Sequence, residues 1–111
     1  MMTLPNAQHA HIPLEKLAGY SLDATYPTGK HKARVFASAL GLGVDDADWL
    51  RDRILEAILN AEATRGDETP FGRRFSVDFP LRTEAGAAAV RTAWIVRSDE
   101  TFPRLTSCFI P

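Results

Sequence analysis

Residues 74–82 read Arg-Phe-Ser-Val-Asp-Phe-Pro-Leu-Arg, and their alternation decides the fold. Phe75, Val77, Phe79 and Leu81 project to one side and Arg74, Ser76, Asp78 and Arg82 to the other, the period of two required by a strand with one buried face. Pro80 cannot donate to a ladder, which places this strand at a sheet edge or its last residues outside the pairing.

Downstream, residues 88–97 are apolar on both parities, with Val90, Trp94 and Val96 against Ala89, Ala93 and Ile95, and predict a central strand. Residues 104–110 predict another. The connections TEAGA (83–87) and SDETFP (98–103) have hairpin length, so the three strands form an antiparallel meander, extendable to four.

Upstream the period is helical. Ala33, Phe36, Ala37 and Leu40 make one stripe of a helix over 29–40, and Gly41 suits its left-handed cap. Asp45 can cap a second helix whose buried face carries Leu50, Ile54, Ala57, Ile58 and Ala61, with Asp46 and Asp48 near its positive end. One or two turns are expected between Pro13 and Gly19, a turn at Tyr26–Gly29 and a loop over 64–72 (TRGDETPFG). The expected class is α+β, with N-terminal helices packed on one face of the sheet. At 111 residues, 45% hydrophobic and 24% charged, residues 1–111 are expected to form a single globular domain.

One cysteine, Cys108, excludes an internal disulfide, and with apolar neighbours it reads as a small buried residue. No basic stretch followed by an apolar one opens the chain and no window of roughly 20 apolar residues exists, so neither export nor a membrane is expected and the expected location is cytoplasmic. A toxin domain delivered by a dedicated secretion machine, or cut from a larger protein, would carry no such signal either. The net charge of −1 is unlike a general nucleic-acid-coating protein, yet charge is segregated: residues 45–68 hold eight acidic side chains against three basic ones.

The stretch Thr28-Gly29-Lys30-His31-Lys32-Ala33-Arg34 concentrates cations at a helix start. With Thr28 as N-cap, Lys30, His31 and Lys32 oppose the helix dipole at a cost of a few tenths to about 1 kcal/mol each. A bound phosphate would reverse that sign, making Thr28, Gly29, Lys30 and Arg34 a candidate phosphate site. The alternative is that these side chains fan into solvent. His31 is a candidate general acid or base, imidazole being the side chain suited to proton transfer at physiological pH.

Arg91 and Arg97 share a parity of the central strand, where a buried charge needs either a ligand or a structural partner such as Asp78 or Glu84. Arg104 and Thr106 share a parity on the last strand; Ser107 does not. His31, Lys32, Arg91, Arg104 and Thr106 thus supply a proton shuttle, a charge clamp and a hydroxyl for phosphodiester chemistry that needs no metal and no cofactor. His9 and His11, two apart, would share one side of an extended segment, either as a surface pair or as a metal or catalytic pair. Trp49, Trp94 and the phenylalanines fall at core positions.

The strings LPNA, GKHKARVF and WIVRSDETFPRLTSCFI, with the spacing between them, resemble a family of small uncharacterised bacterial domains over nearly the whole chain. More loosely, helices followed by an antiparallel sheet with strands RTAWIV and PRLTS look like the ribonuclease superfamily of barnase, EndoU, the tRNA-cutting colicins and RelE. That resemblance implies a metal-independent endoribonuclease or toxin-like RNA-binding domain, neutralised by a cognate or immunity protein. It would place His31, Lys32, Arg91, Arg104 and Thr106 around the RNA. No carboxylate stands where the general base of barnase would. Two other readings stay open: a non-catalytic protein-binding module of a toxin–antitoxin-like pair, suggested by the acidic helix and basic sheet, and a purely structural domain.

Overall fold

The computed structural model describes residues 2–25 and 30–111. Among them the chain runs through a 3-10 turn (Ala7–His9), a π-helical turn (Leu17–Ser21), helix α1 (Lys30–Leu40), a second 3-10 turn (Val44–Asp46) and helix α2 (Ala47–Ala57). Strands β1 (Ala63–Thr69), β2 (Gly72–Thr83), β3 (Gly86–Arg97) and β4 (Pro103–Phe109) follow, paired antiparallel in sequence order.

The stretch expected to be a loop is instead mostly β1. Its residues show no apolar alternation because only Ala63 is buried; the strand is held by its ladder to β2 and not by a side-chain face. It is an edge strand, bulged between Arg65 and Glu68, a device that blunts further pairing. With β1 in place, β2 is an interior strand and Pro80 is paired opposite Ala89. Pro80 is tolerated because β1 accompanies β2 only as far as Val77, leaving no described strand beside Pro80 on that side.

Two-residue turns close the first two hairpins, Pro70–Phe71 between Thr69 and Gly72 and Glu84–Ala85 between Thr83 and Gly86. On β3, Val90, Thr92, Trp94 and Val96 are buried, while Ala89, Arg91, Ala93 and Ile95 are exposed or half-buried. The strand expected to be buried on both faces has one open face, tolerated because that face is half alanine with arginines beside it.

Phe36, Leu40, Leu50, Ile54 and Ile58 join Phe75, Val77, Phe79, Trp94 and Leu105 in one core cluster. Each such side chain contributes about 1.5–3 kcal/mol on burial. Trp94 is 1% exposed, and its indole N–H donates to the Thr92 hydroxyl at 2.8 Å, which donates to the Val77 carbonyl at 2.8 Å. Buried polar atoms here are satisfied in series.

The second helix starts differently from expectation: Asp46, not Asp45, accepts from the backbone, taking the Gly43 N–H at 2.9 Å on Oδ2. Gly19 does not stop the first turn but lies inside the segment Leu17–Ser21. Helix α1 ends as read, on Gly41 at φ 67°, with the Leu42 N–H reaching the Phe36 carbonyl at 3.2 Å. The Thr83 hydroxyl donates to the Leu40 carbonyl at 2.7 Å, tying that helix end to the β2–β3 turn.

The N-terminal tract closes the far edge of the sheet. His11 bridges Arg104 in parallel, its N–H donating to Pro103 at 2.9 Å and its carbonyl accepting from Leu105 at 3.0 Å. Ser21 donates to the Cys108 carbonyl at 2.8 Å further along the same edge. His9 sits in the 3-10 turn and not on an extended segment with His11, so the two are not the same-sided pair that their spacing suggested.

Candidate functional site

The cations singled out from the sequence separate into two groups. Thr28 and Gly29, and with them the N-cap reading, lie outside the described residues. Lys30 opens α1, and His31 and Arg34 are exposed on it. Lys32 is half-buried: its ammonium stands 4.9 Å from the centre of the Phe109 ring and 5.3 Å from that of Tyr20. Each ring face attracts a cation through its quadrupole.

Phe109 is the cross-strand neighbour of Arg91, which places both residues on the open face of the sheet. Arg91 is tied to Asp78, its neighbour on β2, by Nε–H to Oδ1 and Nη2–H to Oδ2, both 2.9 Å. These hydrogen bonds hold the Asp78 carboxyl below its ordinary range and raise Arg91 in turn. A guanidinium carries five N–H donors, so three remain for a ligand at this corner. The carboxylate cancels most of its charge, however, so Arg91 is a positioned donor more than a charge clamp.

Arg104 lies elsewhere. Its β3 partner is Ile95, four residues from Arg91, or about 13 Å at the usual rise of a strand. It forks onto Glu100 at 2.8 and 2.7 Å and covers the Phe102 ring at 5.0 Å. Hydrogen bonds from Arg104 hold the Glu100 carboxyl low, with help from Arg97 and His11.

Thr106 marks a register shift of β4 against β3: Leu105 faces Trp94 and Ser107 faces Ala93, with Thr106 extra. The shared parity of Arg104 and Thr106 therefore does not survive. Ser107 and Phe109 take the open face instead, because Leu105 and Cys108, three apart, must both be buried.

Trp49 and Phe71 depart from the core positions expected of them: Phe71 is 78% exposed, and Trp49 is 39% exposed with the Arg53 guanidinium 5.7 Å from its ring centre. Cys108 is buried as read, and desolvation pushes its thiol up to about 12 despite the nearby Lys32 ammonium.

Lys32, Tyr20, Phe109, Arg91 and Asp78 thus form the candidate site. Two of its members, Tyr20 and Phe109, were missed in the sequence, where nothing links residues so far apart. The corner can present a cation and a donor-rich guanidinium beside an aromatic edge. No helix among the described residues is long and apolar enough to cross a membrane. Comparison with curated proteins gives no match. A family model does match, over residues 3–111, and the chain belongs to the family described as Domain of unknown function (DUF6883).

Proposed function

We propose that the domain binds single-stranded RNA at the corner where Lys32, Phe109 and Arg91 meet. The carrying observation is that Phe109, whose ring holds the Lys32 ammonium, is the cross-strand neighbour of Arg91 at the margin of an open sheet face. Phosphates take the ammonium and the unspent guanidinium donors, and a base has an aromatic edge to lie against. The same open face carries Arg74 and Arg97, which extend a path for the backbone.

Metal-independent cleavage, with a toxin-like role, is the finer form of this reading. It draws on exposed His31 beside Lys32 in sequence and on the loose likeness to ribonucleases. The commitment of Arg91 and Arg104 to carboxylates favours binding over catalysis, since neither is a bare cation for a pentavalent phosphate.

Fluorescence anisotropy of a labelled ten-nucleotide single strand, titrated with protein at several salt concentrations, tests the proposal. Saturable binding that weakens in Lys32→Gln and loses about one unit of salt slope is expected. Binding unchanged by Lys32→Gln, or equal binding of a duplex, overturns it. The same RNA incubated with EDTA and run on a gel reads cleavage, which His31→Ala abolishes if His31 shuttles the proton.

A further inference from the structure

A second concavity lies away from the RNA corner, between the C-terminal end of α1, the start of α2 and the β2–β3 turn, with a volume of about 780 Å³. Leu40, Leu42, Trp49 and Ala85 give it an apolar wall; Asp46 and Glu84 bring carboxylates and Arg82 a cation. The wall is fixed by the Thr83–Leu40 hydrogen bond and by Gly86, where an added Cβ would fall 2.6 Å from the Ala39 carbonyl oxygen. Asp46 is held in place by the Gly43 N–H.

We infer that this cleft seats a basic side chain, flanked by apolar residues, from a protein partner. Three observations carry the choice of occupant. Trp49 is partly exposed, and an indole face is the strongest aromatic attractor of a cation; it already holds one guanidinium, that of Arg53. Acidic groups outnumber basic ones at the rim: Asp46 and Glu84 in the lining and exposed Asp45 beside them stand against Arg82 in the lining and Arg53 on the Trp49 ring. The apolar wall suits the aliphatic stem of an arginine or lysine and the residues next to it. A polyanion such as RNA is repelled by this rim, so the cleft and the RNA corner serve different ligands.

The test uses the whole chain and two capped hexapeptides, one alternating leucine with arginine and one alternating leucine with glutamate. Trp94 is 1% exposed, so iodide-accessible tryptophan emission reports Trp49. The arginine peptide is expected to shift that emission saturably with Kd below about 1 mM, and the glutamate peptide to leave it unchanged. Glu84→Gln weakens the arginine peptide about three- to tenfold and Arg82→Ala tightens it, opposite changes at two exposed positions that a general folding defect cannot produce. No saturable shift below about 1 mM, an equal shift with the glutamate peptide, or indifference to both substitutions overturns the inference.

Discussion

Arg91 and Asp78 stand opposite each other on β3 and β2 and share two parallel hydrogen bonds of 2.9 Å. A second fork, Arg104 on Glu100, repeats the arrangement near the other end of β3. Two arginines of the open face therefore have their own counter-charges, and the sheet is less basic than its arginines suggest.

Both carboxylates titrate below their ordinary values, Asp78 through hydrogen bonds from Arg91 and Glu100 through those from Arg104. A depressed folded-state pKa adds stability above the unfolded carboxylate values, roughly 4, and that stability is lost as pH falls through the lower folded value. Asp78→Asn with Glu100→Gln should lower the urea midpoint at pH 7 and converge with the parent in acid, once both carboxylates are protonated in the folded chain. Equal losses at both pH values would show that the forks do not act through ionisation.

Thr92→Val keeps the shape of the core but removes the hydroxyl between Trp94 and Val77. A buried indole N–H and a buried carbonyl lose their partner together. Denaturant unfolding should show a loss of about 1–3 kcal/mol.

Two glycines should respond with opposite signs. Gly86→Ala drives a methyl to 2.6 Å from the Ala39 carbonyl oxygen, a backbone atom that cannot step aside, and should cost about 1–3 kcal/mol. Gly19→Ala meets only Glu15 Cβ at 3.8 Å inside a helical turn and should gain about 0.5–1 kcal/mol. Thermal melts of the two variants decide both.

Cys108 should be inert to thiol reagents in the folded chain. With its thiol pushed up to about 12, roughly one molecule in ten thousand is thiolate at pH 8. Labelling by a chromogenic disulfide should follow unfolding, accelerating with urea in step with the loss of tryptophan burial.

The sequence pattern revealed those elements whose stability comes from a buried stripe. The alternation of Phe75 to Leu81 and the spacing of Leu50, Ile54 and Ile58 announce β2 and α2, because burial on one face demands that period. Strand β1 gave no such signal, since an edge strand with only Ala63 inside is held by backbone pairing. The Asp78 partner of Arg91 was within reach, because the short turn at Glu84–Ala85 sets the register. The bulge at Thr106 also left a trace, two apolar residues three apart at Leu105 and Cys108, though parity alone misreads it. The cation seat on Tyr20 and Phe109 left none, because three distant segments meet only once the core has formed.

The parallel pairing of His11 with Arg104 joins positions more than ninety residues apart. Each doubling of a closed loop adds about 0.6 kcal/mol of entropy cost, so this contact is among the last that a refolding chain can make. Until it does, β4 presents a row of unmatched donors and acceptors to any extended strand nearby, including the same strand of another copy. Removal of the first dozen residues is therefore expected to open the β4 margin between Pro103 and Leu105 and to make the chain more prone to strand-to-strand association.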